Sequence, residues 1–93
     1  VSASEAERMG MIYKAISVET FEADILKTAQ NLSEMPTKAL GLTKRLLNQS
    51  LTNNLEQQLQ LESDLQIEAS SSGDYKEGVA AFVEKRKPVF KGE

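Results

Sequence analysis

Phe82 and Lys85 have the types and the spacing for ligand chemistry. They lie in DYKEGVAAFVEKRKPVFKG, the stretch from Asp74 to Gly92. Three residues apart on a helix, they would stand on adjacent turns of one face. A flat ring beside an ammonium suits an adenine with a phosphate nearby. Taken without further context, the plainer reading is an ordinary core phenylalanine and a surface lysine that complements the helix dipole. The surrounding charge is unusual for this chain. From Phe82 onward, Lys85, Arg86, Lys87 and Lys91 stand against Glu84 and Glu93, a balance of +2; the whole chain carries -3, so the remainder carries -5.

Other candidates carry less. Glu56, Glu62, Asp64 and Glu68 share one helical stretch, and Asp64 and Glu68 have the spacing of an acid–base or metal pair. With no histidine to complete a site, a solvated helix face is the simpler account. Lys44 and Arg45 invite a phosphate, yet a surface face explains them as well. Met9, Met11 and Met35 are scattered and read as core filler. There is no glycine-rich phosphate loop, nucleophile elbow or paired serine and base. No residue of this stretch of chain is therefore assigned a catalytic role, and no metal or separate cofactor is expected.

Composition sets the bounds. Ninety-three residues suit one small domain, 40% hydrophobic and 27% charged, the balance of a globular chain with a solvated surface. Cysteine, histidine and tryptophan are absent, which removes thiolate chemistry, the usual general base and the usual zinc ligands. The acidic balance speaks against nucleic acid as a partner, and no apolar run approaches a membrane span. VSASEAERM lacks the layout of a signal peptide, and the missing initiator Met fits a fragment or a processed chain.

The elements that would position Phe82 and Lys85 are all helical. Ser2 and Glu5 have capping-box spacing for a short first helix, and Gly10 suits its end. Met11 to Tyr13 read as a short buried link or strand. A second helix is expected from Glu19 to about Met35, with Phe21, Ile25, Ala29 and Leu32 on one face. Pro36 ends it and can open a third, Thr37 to Gln49, whose Gly41 suggests a close backbone approach. Asn53 and Glu56 offer a cap for a fourth helix running to about Ala69. There Leu55, Leu59, Leu61, Leu65 and Ala69 span an arc of about 160°, enough for two helical neighbours, with Ile67 left outside it. Ser70 to Gly73 break the chain. Asp74 and Glu77 then read as a cap and its partner for a fifth helix, with Tyr75, Val79, Phe82 and Val83 as its apolar stripe and Lys85 to Lys87 in its last turn. Pro88 cannot continue it. The expected fold is all-α, about five helices, one domain over residues 1–93.

The terminal stretch EGVAAFVEKRKPVFKG resembles the end of the crotonase family, the enoyl-CoA hydratases and isomerases. SASEAERMGMIYKAI is similar to the helix and turn that leave that family's catalytic core, with Ala3, Ala6, Gly10, Met11 and Ile12 in the matching places. PTKALGLTKRLLNQSLTNNLEQQLQLESDLQ, followed by SGDYKEGVAAFVEKRKPVFKG, is closest in character to the phenylacetate-degradation isomerases of ring-1,2-epoxyphenylacetyl-CoA. The likeness covers nearly the whole chain but only the last third or so of the family's length. It implies the C-terminal helical, trimerisation domain of such an enzyme without the spiral ββα core. It also implies that Phe82 and Lys85 contact the nucleotide end of coenzyme A, which is part of the substrate rather than a cofactor. The oxyanion hole and the acidic catalytic residues would come from the preceding core. Further implications are an acyl-CoA substrate, a parent trimer or hexamer, no nucleic-acid or membrane partner, and a cytoplasmic location.

Two other classes stay open. One is a purely structural oligomerisation module. The other is a stand-alone helical adaptor using Ile67 and the wide face of the fourth helix. Self-association is expected on either reading, because that face exceeds what one neighbour covers.

Overall fold

Ser2 opens the first helix as its spacing predicts. Its hydroxyl accepts from the Glu5 amide at 3.2 Å, and the Glu5 carboxylate accepts from the Ser2 amide at 2.8 Å. In the computed structural model, which describes residues 1–93, this helix is α1, Ala3–Arg8. The Ser2 amide, followed by its hydroxyl, holds the Glu5 carboxyl below its ordinary value. Gly10 follows at φ +74°, a left-handed turn that costs glycine little. The stretch after it is neither a strand nor buried. Met11 to Tyr13 form bends, and Met11 and Tyr13 are well exposed. A strand needs a partner for its backbone groups, and an all-helical chain offers none.

Helix α2 runs Phe21–Ser33, shorter at both ends than its apolar pattern suggests. A turn precedes it, with the Thr20 amide donating to the Ser17 carbonyl at 3.2 Å. At its end, Pro36 disfavours helical backbone in the residue before it. In the first turn the Thr20 hydroxyl, and then Lys14 at 3.2 Å, hold the Asp24 carboxyl below its ordinary value.

The chain forms two compact units, Val1–Gln30 and Asn31–Glu93. The second contains α3 (Thr37–Gln49), α4 (Leu55–Ser70) and α5 (Gly73–Glu84). Pro36 sits just before α3 as its cap residue rather than inside the first turn. Helix α4 packs against both α3 and α5, as its wide apolar arc requires. Leu65 on α4 and Ala81 on α5 are the buried hydrophobic residues. Ile67 is exposed, as its angle predicts, but so are Leu55 and Leu59, which leaves the first half of the arc uncovered. The methionines are exposed and do not fill a core, and no atom of another element approaches Gly41.

Helix α4 starts one residue later than its cap pattern suggests. Asn54 caps it, in a reciprocal pair with Gln57 at 2.9 and 3.0 Å. Asn53 is occupied elsewhere. Its amide donates to Gln58 Oε1 at 3.0 Å, and Gln58 Nε2 donates to the Leu46 carbonyl at 3.2 Å. That pair ties the end of α3 to the start of α4.

The cap of α5 is displaced by two residues. Ser72, not Asp74, accepts from the Tyr75 amide at 3.0 Å, while its hydroxyl donates to the Ala69 carbonyl at 2.6 Å. Asp74 therefore lies in the first turn, where the helix dipole favours an anion, and is 4% exposed. Its two oxygens accept the amides of Lys91 at 2.7 Å and Gly92 at 2.9 Å, and its own amide donates to the Glu93 carbonyl at 3.0 Å. Glu77 is not a capping partner either. It accepts both Arg86 Nη1 and Nη2, at 2.6 and 2.9 Å, and the Val89 amide at 2.8 Å. The tail thus runs back along α5 and ends beside that helix's start. Gly92 sits at φ +80° with Thr37 so close that a Cβ would lie 2.5 Å from its hydroxyl, so only glycine fits. Arg86 first, then the Val89 amide, hold the Glu77 carboxyl at about 2.

Two outcomes follow from this tail. Asp74→Ala leaves the Lys91 and Gly92 amides without their acceptor; the loss is expected to be about 1–3 kcal/mol, read as a lowered unfolding midpoint with faster exchange at those two amides. Glu77 has a folded value below its unfolded one, so its contribution is complete above about pH 4.5 and is lost as pH falls toward 2. The chemical shift of the Val89 amide should therefore titrate near pH 2, and Glu77→Gln should abolish that titration.

Candidate functional site

Helix α5 ends one residue before Lys85. The Arg86 amide donates to the Ala81 carbonyl at 3.0 Å and the Lys85 amide to the Phe82 carbonyl at 3.3 Å. This closure places the residue after the helix in the left-handed conformation, usually a glycine. Here it is Lys85, at φ 56° and ψ 40°. The basic cluster consequently lies beyond α5 and not in its last turn, which holds no cation. Phe82 and Lys85 do not share a helical face, because the chain reverses its twist at Lys85.

Within the cluster, the cations are used differently. Arg86 is committed to Glu77 and, through Nε, to Glu84 at 2.5 Å. These two carboxylates, Glu77 first, hold the Arg86 guanidinium firmly protonated. Lys87 pairs with Glu34 at 3.1 Å. Lys85 forms no such ion pair, so of residues 85 to 87 its ammonium is the one free to meet an anion from outside.

Phe82 is 85% exposed, the most exposed member of the expected stripe; Tyr75, Val79 and Val83 are exposed as well. The ring borders a cavity of about 380 Å³ between α5, the start of α3 and the tail. Pro36, Ala39, Tyr75, Val79 and Phe90 supply most of its apolar wall. Phe90 lies opposite Gly78 of α5, where a Cβ would stand 3.6 Å from its ring, in ordinary van der Waals range. Lys85 is not among the lining residues. The structure therefore brings Phe82 to an apolar recess and leaves Lys85 as a free cation one turn beyond it. Such an arrangement can hold a flat heterocycle against rings and meet an anionic group at its rim.

The other depressions offer less. A polar groove of about 740 Å³ between α3 and α4 includes Arg45, but Glu56 and Asp64 also line it and would repel a phosphate. Helix α4's carboxylates form no cluster of three or more metal-type ligands. No helix is long and apolar enough to cross a membrane. Reading the sequence missed the Asp74 and Glu77 tail contacts. The Glu77–Arg86 separation of nine residues gave no local signal, since it closes only after the helix has ended.

A family model described as enoyl-CoA hydratase/isomerase matches residues 1–93. The chain is 43% identical to the 1,2-epoxyphenylacetyl-CoA isomerase of Escherichia coli K12 across all its 93 residues, 36% of that protein. It is 41% identical over 92 residues to a probable enoyl-CoA hydratase of Rhodobacter capsulatus, again 36% of the relative. Among solved structures, an enoyl-CoA hydratase subunit from Geobacillus kaustophilus aligns with a TM-score of 0.91 at 36% identity, over 100% of this chain and 36% of that one. An enoyl-CoA hydratase from Polaromonas aligns with a TM-score of 0.89 at 31% identity, over 98% and 35%. The chain spans about a third of the length of these relatives. Its five helices are those of crotonase structures, and with every residue matched by the family model, the chain belongs to the enoyl-CoA hydratase/isomerase family.

Proposed function

We propose that this chain is the C-terminal helical domain of an enoyl-CoA hydratase or isomerase, binding the nucleotide end of an acyl-CoA and packing the subunits of an oligomer. The likeness to the Escherichia coli isomerase supports a place in phenylacetate degradation. The reaction class is proton transfer beside a thioester whose enolate is held in an oxyanion hole. Both the hole and the acid–base carboxylates belong to a catalytic core outside these residues. The observation that carries the ligand reading is the exposed Phe82 ring on an apolar recess, followed by Lys85 as a cation without an ion pair. Phe82 stacks on the adenine, and Lys85 meets the ribose 3′-phosphate.

The subunit-packing part rests on exposed apolar surface. Leu55, Leu59 and Ile67 on α4 and Leu47 on α3 are all well exposed, large apolar side chains that a partner subunit would cover. That surface also supports the second reading, a helical oligomerisation or adaptor module with no catalytic role. Turnover separates the two only in the longer protein.

Two measurements test the proposal. The 93-residue chain alone should show no hydration or isomerisation of an enoyl-CoA above a buffer blank; persistent turnover after repurification would refute the division of labour. In the full-length enzyme, Lys85→Ala should raise KM for acyl-CoA about fivefold, the equivalent of ~1 kcal/mol for a solvated lysine–phosphate contact, and leave kcat nearly unchanged. A substrate lacking the 3′-phosphate should be insensitive to the change. Loss of kcat, or an equal penalty on both substrates, would make Lys85 structural.

A further inference from the structure

A lysine in left-handed backbone geometry is disfavoured, because its Cβ crowds the following carbonyl. Such a residue persists only where its surroundings over-determine it. At Lys85 the restraint lies in the residues that follow. Arg86 is gripped through both terminal guanidinium nitrogens, Nη1 and Nη2, at 2.6 and 2.9 Å, by the Glu77 carboxylate. The same carboxylate accepts the Val89 amide at 2.8 Å. One side chain of α5 therefore fixes the chain directly after Lys85 and again three residues later, at either end of the Lys87–Pro88 segment. Residue 90 comes next, and its ring forms a wall of the recess beside Phe82.

We propose that Glu77 and Arg86 are positioning residues for the nucleotide site: their ion pair locks the left-handed turn at Lys85 and lays Phe90 against Gly78, so that the free ammonium and the apolar recess are presented together. The inference rests on the nucleotide reading of Phe82 and Lys85 and deepens it, since neither Glu77 nor Arg86 needs to touch the ligand. Glu77 is committed to the tail, and Arg86 is saturated by Glu77 and Glu84. A lysine at residue 86 could not replace the guanidinium, because only the planar fork gives two parallel contacts to one carboxylate. Asp74 acts further along the tail and does not hold the turn. It takes the amides of Lys91 and Gly92, beyond Phe90.

The full-length enzyme tests this with acyl-CoA and its 3′-dephospho analogue side by side. Glu77→Ala should raise KM for acyl-CoA about three- to tenfold, with kcat within about twofold of the parent. On the dephospho substrate the penalty should shrink to that of the recess alone. Arg86→Lys should reproduce the effect, and the double variant should be no worse than the worse single, because both break one contact. Glu77→Gln keeps an acceptor for the Val89 amide but not the ion pair, and should fall between parent and Glu77→Ala. If Glu77→Ala does not fold, Glu77→Gln and Arg86→Lys carry the test. Unchanged KM in these variants, a fall in kcat, or identical penalties on the two substrates would overturn the proposal. So would additive effects of the two changes. If Lys85→Ala itself shows no phosphate-specific penalty, the nucleotide reading fails and this inference with it. If Lys85→Ala shows one and the Glu77 and Arg86 variants do not, only the positioning role fails.

Discussion

The folded-back tail depends on two carboxylates of α5 that point at backbone amides. Residues 87 to 93 form no regular structure, so their amides have no ladder or helix to satisfy them. Asp74 takes the amides of Lys91 and Gly92, and Glu77 takes that of Val89. Each bond has an ionised acceptor, which makes it stronger than an amide–carbonyl bond. The remaining features of the second unit's candidate site follow from where these two acids stand. Phe90 can wall the recess only because its neighbours are held at Val89 and Lys91. Gly92 is the position where the tail lies too close to the start of α3 for a larger side chain, and at Gly78 the Phe90 ring comes within van der Waals range of α5.

The position of the helix cap decides which role each acid takes. Had Asp74 capped α5, its oxygens would have been spent on the helix's own amides. Ser72 does that instead, with a hydroxyl that also closes the end of α4 on the Ala69 carbonyl. The buried carboxylate is thereby released to bind the tail while keeping a favourable place at the positive helix end. At the other end of α5, the same helix stops in a left-handed turn at Lys85 where glycine would be easier. The strain is about 1–3 kcal/mol for a non-glycine residue, and the Glu77–Arg86 pair is what prevents its relaxation.

Local order is far ahead of core formation in this chain. Caps, turns and amphipathic faces define five helices, yet only Leu65 and Ala81 are buried among the hydrophobic residues, while twenty-two large ones stay exposed. Burial of that kind of surface is the main favourable term in folding, and within these residues most of it stays uncovered. This matches a family in which the chain accounts for about a third of each relative's length.

What the sequence determined alone was the set of local decisions. Ser2 and Glu5 specify a capping box, Thr37–Gln49 and the leucine arc of α4 specify helices, and FVEKRKPVFKG marks the family, because each signal lies within a few residues of its effect. The cap of α4 moved by one residue because Asn53 is drawn to Gln58 and, through it, to Leu46 on another helix. The cap of α5 moved by two because the tail claims Asp74 from seventeen and eighteen residues away. Met11 to Tyr13 lost their expected burial for want of a partner element. Phe82 and Lys85 were legible as residue types, but not their geometry: whether Lys85 continues the helix or leaves it depends on Arg86 finding Glu77 nine residues back. Such contacts carry no periodicity and no spacing rule. They exist only once the chain has folded back, and there the tertiary structure alone decides.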